Sequence, residues 1–394
     1  MAHATRQAYR WSEAPRTVGP DPVISVVTVA LLGTGVIMVA STSMAVAESF
    51  SVSGWHFITR HLVYLLLGLG LAAGLAMISP RLLERLGLPA LGVAVLVLLL
   101  PFVPGLGHEV NGSLRWATFG PIRFQPVEAS KLLIILFVAS YLARRPDLGR
   151  TRLIDMLKPL LAAGLLAAIL LRQPDMGSAV VIVAIVGGMV WLAGANWRHL
   201  GLLSLTSLPL FAFAALEPYR LQRVMTFVDP WADPFNSGFQ LTQALIAVGR
   251  GQLTGVGLGA SVQKLYYLPE AHTDFIFAVL AEEFGLIGVI VVMALFAALV
   301  GRMLIIGVKA RRLDRPFEAF LVWGVALWIA IQALVSMGVN LGMLPTKGLT
   351  LPLISTGGSS LLMTLAAIGL VLRIQWSLTV EQLSRPRRQR RWST

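Results

Sequence analysis

Long apolar stretches recur along the whole chain, and they constrain its fold more than any other feature. A helix that crosses a membrane needs roughly 17–25 mainly apolar residues. Ten stretches approach that length, at residues 23–45, 61–79, 88–104, 126–143, 157–171, 177–195, 200–216, 274–300, 318–341 and 353–374. The chain is 56% hydrophobic and only 13% charged, whereas soluble domains are about 25% charged. The sequence therefore predicts an all-α integral membrane protein with ten transmembrane helices.

The distribution of Lys and Arg predicts the orientation of these spans. Ten spans place both termini on one side, where the segments carry 22 Lys and Arg residues against nine on the other side. Such residues accumulate on the cytoplasmic face. We therefore expect a cytoplasmic tail over residues 1–22, a transmembrane domain over 23–376 and a basic cytoplasmic tail over 377–394. A large extracytoplasmic loop, residues 217–273, then connects helices 7 and 8, and its stretch Phe239–Val248 is amphipathic.

Several function classes find no support in the sequence. The net charge of +13 would suggest a nucleic-acid partner in a soluble protein. Here the charges lie in short segments between apolar stretches, as expected for membrane topology, and we predict no nucleic-acid partner. The chain has no cysteine, no Gly-Lys-Ser/Thr phosphate loop and no HExxH zinc motif. Thiol chemistry is therefore excluded, and ATP hydrolysis and zinc proteolysis find no support.

The segment YLPEAHTDFIFAVLAEEFG, residues 267–285, places carboxylates at the entrance to the eighth span. Charges at the edge of the hydrocarbon are costly, so each is a candidate functional residue. Asp274 directly precedes the apolar stretch, where a helix cap is the simpler interpretation. Glu282 lies about 12 Å deeper and about 80° around the helix, so it could line the same cavity, whereas Glu283 would face a neighbouring helix. His272 is either a rival base or a solvated loop histidine.

A second candidate is the pair Glu128 and Lys131 in the sequence FQPVEASKLL. The two residues are spaced i,i+3 at the start of a span, and Glu128 suits the positive end of the helix dipole. A free ammonium one turn deeper would be costly, and pairing relieves that cost. Two interpretations remain, a structural pair and a pair that holds a substrate cavity open.

A third group consists of polar residues at the outer ends of spans and in the large loop. Gly, Pro, Ser and Thr are common in turns, so each position is weak evidence when it is taken alone. Together they place several cations on one face of the membrane beside one acid, which suits a substrate with an anionic head and a lipid tail. The group comprises Asn111, Arg115, Arg123, Arg172, Gln173, Asp175, Arg220, Arg223, Arg250, Lys264, Thr346, Lys347 and Ser355 to Ser360.

Three segments of the chain resemble signatures of a known family. The sequences QPDMGSA, YLPEAHTDFIFAVLAEEFG and MLPTKGLTLPLISTGGSSL are similar to motifs of the FtsW/RodA family, also called SEDS proteins. The resemblance runs from the first span to the tenth, and YLPEAHTDF and LPTKGLTLPLIS resemble the cell-division branch more than the elongation branch. Val127, Leu341 and Thr356 depart from the usual residues, but none of these departures removes a charge.

The resemblance implies an inverting peptidoglycan glycosyltransferase that polymerises lipid II, a disaccharide-pentapeptide carried on undecaprenyl diphosphate. The aspartate treated as catalytic in the family falls on Asp274, and the family's membrane Glu-Lys pair falls on Glu128 and Lys131. The family's partners are a class B penicillin-binding protein, FtsI in division, and the FtsQ-FtsL-FtsB complex. The resemblance also implies a location in the cytoplasmic (inner) membrane at the division septum.

The chemistry of glycan extension fits these residue types independently. A positioned carboxylate can accept the proton of the attacking sugar hydroxyl, and partial desolvation would raise its pKa to suit that task. The diphosphate leaving group requires Arg, Lys or a divalent cation such as Mg²⁺ or Mn²⁺. We therefore expect Asp274 to be the general base. The expected substrate contacts are Arg115, Arg123, Glu128, Lys131, Gln173, Asp175, Arg220, Arg223, Lys264, His272, Glu282, Lys347 and Ser359.

Two other functions remain open at the level of sequence. A lipid II flippase would have similar spans and affinity for the same lipid, but transport sites lie near mid-membrane and often in inverted repeats. We find no convincing repeat, and the acids cluster near the outer rim. A scaffold without enzymatic activity, which only recruits the penicillin-binding protein, is the other alternative.

Overall fold

The computed structural model describes residues 19–49, 55–110, 112–120, 122–145, 153–196, 201, 223, 225–265, 267–346 and 348–384. Most of these residues are helical. The helices are α1 (Pro22–Ser49), α2 (Trp55–Ala76), α3 (Pro80–Arg85), α4 (Gly87–Leu99), α5 (Pro126–Ala143), α6 (Leu153–Arg172), α7 (Met176–Leu192), α8 (Phe239–Gly251), α9 (Ile276–Arg312), α10 (Pro316–Asn340) and α11 (Gly358–Ser384).

The helices confirm the predicted all-α membrane architecture. Among the described residues, α1, α2, α5, α9, α10 and α11 are long and apolar enough to cross a membrane, and α7 is a shorter apolar helix. Every predicted span except 200–216 overlaps a helix, and that stretch lies outside the described residues apart from residue 201. The count of ten spans therefore stays a prediction. The amphipathic stretch Phe239–Val248 forms most of α8.

Helices α5 and α10 lie inside the helical bundle, and most of the other helices pack against one of them. The apolar window of α5 is 78% buried, whereas that of α2 is only 11% buried, so α5 is interior and α2 leaves most of its surface to lipid. Helix α10 packs against α5, α7 and α9, α2 packs along α11, and α1 packs along α9. This arrangement places the polar residues of α5 and α10 inside the protein.

A small antiparallel sheet lies between α4 and α5, and the sequence reasoning did not predict it. Strands β1 (Gly107–Val110), β2 (Ser113–Phe119) and β3 (Ile122–Phe124) pair in the order β1-β2-β3. In the register, Ala117 is opposite Phe124 on one side and Gly107 on the other. The sheet matters for the site because Arg115 lies on β2 and Arg123 on β3.

Helix α9 consists of two helical segments separated by a break at Gly285. This residue has φ 63° and ψ −162°, a conformation that is accessible to glycine but strained for other residues. The segment after α8 pairs with the break, since the amide of Leu286 donates to the Gln252 carbonyl at 2.9 Å and the amide of Val256 donates to the Glu282 carbonyl at 3.0 Å. These bonds fix the short segment Ile276–Phe284, which begins two residues after Asp274.

Candidate active site

Asp274 lies in a tight turn that leads into α9. The amides of Thr273 and Phe275 both donate to the Glu270 carbonyl at 3.1 Å, and Glu270 adopts a positive φ of 57°. Phe275 is the N-cap residue of α9, and its own side chain makes no capping hydrogen bond. The alternative that Asp274 only caps the helix is therefore wrong, because its carboxylate does not bind the first amides of α9.

Asn340, the last residue of α10, holds this turn in place. Its Nδ2 donates to the main-chain carbonyl of Asp274 at 2.9 Å, and its Oδ1 accepts from the amide of Ala278 at 2.9 Å. One buried amide side chain thus contacts both the turn and the first turn of α9. The main chain of Asp274 is fixed by this contact, and its carboxylate is left available for other interactions.

The surroundings of Asp274 raise the pKa of its carboxyl toward neutral pH. Burial raises the pKa of the Asp274 carboxyl to about 7, and the negative charge of Glu270 acts in the same direction. The nearby cations Arg115 and Arg223 act against this shift because they favour the charged carboxylate, and Asp175 adds a smaller upward contribution to the pKa. The carboxyl group is thus present in both protonation states near neutral pH, as a general base requires.

Arg115 brings a guanidinium group to the same place. Its Nη2 donates to the Pro174 carbonyl at 2.6 Å. A Cβ atom added to Gly348 would lie 3.3 Å from Oδ2 of Asp274 and 3.5 Å from Nη1 of Arg115. Gly348 therefore adjoins both a carboxylate and a guanidinium, and the lack of a side chain there leaves the gap between them open.

Two buried nitrogens at this site have no hydrogen-bond partner within the part of the chain that the structure describes. They are Nε of Arg115 and Nδ1 of His272. Burial lowers the pKa of His272, although the charge of Glu270 opposes this, which favours the neutral imidazole. The carbonyl of His272 accepts from the amide of Thr356 at 3.0 Å. Unpaired buried polar atoms are rare in folded proteins, so both are available to a bound polar ligand.

Three further predicted residues hold the segments around the site in place. Arg223 donates from Nη1 to the Thr346 carbonyl at 3.3 Å. Asp175 caps α7 and accepts from the amide of Ser178 at 3.1 Å and from its hydroxyl at 2.7 Å. Gln173 is buried and donates to the Leu98 carbonyl at 2.6 Å. These bonds order the segments around Asp274.

Two further predicted residues lie on the sheet side of the site. Ser359 accepts from the Gln125 amide at 2.9 Å, immediately before α5. Arg123 is exposed on β3, opposite Thr118. The structure therefore brings Arg115, Arg223, Asp175 and His272 together with Asp274. Asn111, Arg220 and Lys347 lie outside the described residues, and their predicted roles stay predictions.

The buried pair Glu128 and Lys131 is confirmed. Lys131 Nζ lies 2.8 Å from Glu128 Oε1, and the Lys131 side chain has no solvent exposure. The same ammonium donates to Oε1 of Gln332 at 2.7 Å, and Nε2 of Gln332 donates to the Thr350 carbonyl at 3.0 Å. Trp328 also donates to Gln332 and lies beside the ammonium. The pair is thus connected through α10 to the segment that carries Gly348.

The observed contacts of Glu282 differ from the substrate contact that the sequence predicted, and Glu283 binds the same part of the chain. Glu282 is fully buried, and its carboxylate accepts from the hydroxyl of Ser261 at 2.5 Å and forms a salt bridge with Arg250 at 3.3 Å. Lys264 Nζ lies 2.7 Å from Glu283. Both acids thus bind the segment after α8. The sequence predicted substrate contacts for Glu282 and Lys264, but their observed contacts are structural, and any role toward substrate stays a prediction.

Glu283 also contacts a neighbouring helix, as predicted. Its Oε1 accepts from the Ser41 hydroxyl of α1 at 2.7 Å. Asn340, Gln332 and Gly348 were not predicted from the sequence. The two amides carried a usable signal, because polar side chains within an apolar span are costly unless they have partners. Gly348 carried none, since glycine is common at span ends.

The described residues contain no group of three or more His, Asp or Glu side chains that could hold a metal ion. Arg115 and Arg223 are the described cations whose charges act on the pKa of Asp274. The expected divalent cation, Mg²⁺ or Mn²⁺, stays a prediction.

Comparison with known proteins confirms the resemblance that the motifs indicated. Residues 23–379 match the family of cell cycle proteins that comprises FtsW, RodA and SpoVE. A protein of Nitrosococcus halophilus named "Probable peptidoglycan glycosyltransferase FtsW" is 47% identical over 383 residues, which cover 97% of this chain and 98% of the relative. A protein of the same name from Coxiella burnetii is 48% identical over 357 residues, which cover 90% of this chain and 96% of the relative.

Solved structures share the fold. One belongs to a study of "Structural coordination of polymerization and crosslinking by a peptidoglycan synthase complex", and its chain matches with a TM-score of 0.74 and 32% identity over 92% of this chain and 99% of that chain. The rod shape determining protein RodA of Thermus thermophilus matches with a TM-score of 0.67 and 31% identity over 92% of this chain and 98% of that chain.

Proposed function

The chain belongs to the FtsW/RodA/SpoVE family of cell cycle proteins, and from this premise we propose that it is a peptidoglycan glycosyltransferase that polymerises lipid II. The observation that carries the proposal is the carboxyl of Asp274, whose pKa is raised to about 7 at a site that also holds Arg115 and Arg223. The names of relatives such as the one from Nitrosococcus halophilus support the same activity.

The proposed reaction is a single displacement. A sugar hydroxyl of the acceptor attacks the anomeric carbon of the donor. A new C–O bond forms at that carbon, and the bond between that carbon and the diphosphate oxygen breaks. Asp274 accepts the proton of the attacking hydroxyl, a step that contributes typically about 10²–10⁴-fold to the rate. Arg115 and Arg223 stabilise the charge that develops on the lipid diphosphate. An α-linked donor thus gives a β-linkage with one base.

The buried pair has a positioning role in this proposal. Lys131 and Glu128 bind each other inside the protein, and Gln332 connects them to the Thr350 carbonyl and hence to the segment around Gly348. Rigid support of this kind is valuable, because small displacements of catalytic groups cost large factors in rate. Of the two interpretations given for the pair, we therefore propose the structural one, with the pair supporting the segment around Gly348.

The protein is a multi-pass membrane protein, and we place its site on the outer face. Both termini are cytoplasmic and the loop 217–273 is extracytoplasmic in this proposal, because the Lys and Arg residues favour that orientation. Labelling of a cysteine introduced after Arg250 in intact cells tests it. A label that reaches this position only after the membrane is permeabilised contradicts the topology.

A class B penicillin-binding protein is the proposed partner. The likeness to a chain from a peptidoglycan synthase complex supports this assignment. The FtsQ-FtsL-FtsB complex and the division septum are further proposals, which rest on the likeness to proteins named FtsW.

The direct test of the proposed activity is polymerisation of purified lipid II by the purified chain in detergent, with and without the penicillin-binding protein. Glycan strands are expected as the product. Detergent micelles have no two sides, so a flippase gives no product in this assay, and neither does a scaffold without enzymatic activity. Absence of polymer both with and without the partner contradicts the proposal.

A further inference from the structure

A cavity of about 400 Å³ lies at the end of α9 that is remote from Asp274. One wall is apolar and consists of Leu304, Ile305 and Val308, which are 37%, 58% and 44% exposed. Lys309 and Arg312 lie beside them on α9, and Gln382 of α11 faces them from the other side. The cavity thus joins an apolar wall to two cations and an amide.

The spacing along α9 explains this combination. Ile305, Lys309 and Arg312 follow one another at intervals of four and three residues, so they share one face of the helix. Among the described residues, no carboxylate forms a salt bridge with Lys309 or Arg312. The nearby carboxylate of Asp21 is bound to Arg302 at 2.7 Å. The two cations at the cavity therefore retain charge for another ligand.

The length of α9 places these cations at the membrane surface. The helix after the break at Gly285 rises by about 33 Å between Leu286 and Val308 at 1.5 Å per residue, and Arg302, the one charged residue in that stretch, is neutralised by Asp21 at the start of α1. The hydrocarbon core of a bilayer is about 30 Å thick. Lys309 and Arg312 then lie at the level of the lipid headgroups, and the exposed Leu304 and Ile305 lie at the boundary between the headgroups and the acyl chains.

We propose that this cavity binds an anionic phospholipid of the leaflet opposite the Asp274 site. Lys309 and Arg312 hold the phosphodiester, Gln382 hydrogen-bonds to the headgroup, and an acyl chain lies along Leu304, Ile305 and Val308. Basic pockets between transmembrane helices recognise lipid headgroups in this way.

Charge selects this occupant over the chain's own tails. Residues 1–18 contain three Arg and one Glu, and residues 385–394 contain five Arg and no acid. Both tails are therefore positively charged, and Lys309 and Arg312 repel them. A transmembrane helix of a partner protein would fill the apolar wall but would leave the two cations without a counter-ion. A phospholipid with one negative charge satisfies both parts of the cavity.

The test measures lipid binding to the purified full chain in detergent by native mass spectrometry. Phosphatidylglycerol and phosphatidylcholine with identical acyl chains are compared. We expect the wild type to bind one phosphatidylglycerol about thirtyfold more tightly, since each interfacial Lys or Arg gives a roughly fivefold preference for an anionic lipid. Lys309→Gln together with Arg312→Gln is expected to abolish that preference.

The matched control removes two cations elsewhere. Arg81→Gln together with Arg85→Gln changes the net charge equally at two exposed positions of α3, and it is expected to keep the preference. A charge-preserving variant, Lys309→Arg with Arg312→Lys, also keeps it, which separates loss of the site from loss of the fold. Equal binding of both lipids by the wild type, or equal loss in the control, overturns the proposal. Displacement of the lipid by soluble glycerol phosphate at comparable concentration also overturns it, because the occupant is then a free phosphate.

Discussion

Asn340 donates a hydrogen bond from its side-chain Nδ2 to the main-chain carbonyl of Asp274 over 2.9 Å, across a separation of 66 residues. The same side chain accepts from the amide of Ala278 at 2.9 Å. The end of α10 is thereby bound to both sides of the turn that presents the proposed base. The position of Asp274 thus depends on a residue that contacts its main chain and not its carboxylate.

Asn340→Ala tests this positioning role. Both hydrogen bonds are lost, so the turn gains freedom, and we expect kcat to fall roughly 10- to 100-fold while KM changes little. The midpoint of the pH–rate profile is expected to stay near that of the wild type, since the carboxylate and its charged neighbours remain. Ser336→Ala is the control, because it removes a buried hydroxyl one turn away that has no partner among the described residues. A normal kcat in the Asn340 variant contradicts the role.

Gly348→Ala tests whether the gap between Asp274 and Arg115 must stay open. The new methyl would lie 3.3 Å from the carboxylate and 3.5 Å from the guanidinium. We expect a loss of roughly tenfold or more in kcat/KM through displacement of these groups, with thermal unfolding unchanged. Gly70→Ala adds the same methyl where nothing lies within 4 Å. If both variants behave alike in the polymerisation assay, the space beside Gly348 has no function.

A comparison of the stability of a single variant with that of a double variant tests the Glu128–Lys131 pair. Lys131→Met leaves Glu128 buried without its counter-ion, and such a change costs about 3–5 kcal/mol. The double variant Glu128→Gln with Lys131→Met leaves no unpaired charge and is expected to be the more stable of the two. The measurement is the thermal unfolding midpoint in detergent, together with polymerisation. A Lys131→Met protein with wild-type stability and activity shows the pair to be dispensable.

Glu270→Gln tests how far the charge of Glu270 contributes to the raised pKa of Asp274. The negative charge of Glu270 helps to hold the pKa of Asp274 at about 7. Its removal lowers that pKa, so the ionised base survives to lower pH and the acid limb of the rate profile shifts toward lower pH. Glu109→Gln on β1 is the control, since it removes one exposed acid that does not affect the acidity of Asp274. An unchanged limb in the Glu270 variant would falsify the contribution of Glu270, which comes after burial among the causes of the raised pKa.

The sequence predicts the helices well where apolar composition and local signals agree. Helix α5 has the predicted bounds of 126–143 because Pro126 suits the first helical turn and Glu128 suits the helix dipole. The Glu128–Lys131 pair also follows from local spacing. Both predictions succeed because the interacting groups are neighbours on one helix.

Contacts between distant segments were beyond the sequence reasoning. In the sequence, Gly285 cannot be distinguished from an ordinary glycine in an apolar segment, because glycine is frequent in transmembrane helices. Its cause is the pairing with residues 252–257, which the chain brings there only in the folded state. The strands β1 to β3 are short, so their alternation gives a weak signal. Glu282 was predicted to line the same cavity as Asp274 from its angular position on the helix, but α8 and the loop that follows it supply its observed partners.

The most direct measurement is the initial rate of lipid II polymerisation by the wild type and by Asp274→Asn in detergent between pH 5 and 9. We predict that the wild-type rate falls as pH drops below about 7, because protonation of a base whose pKa is about 7 removes its acceptor. Asp274→Asn is predicted to lose about 10²–10⁴-fold at and above pH 7, with a smaller difference at lower pH because the wild-type base is then protonated as well, while the unfolding midpoint and partner binding are retained. Polymerisation by the Asn variant near the wild-type rate contradicts the account and transfers the role of base to another group, with His272 the first to examine.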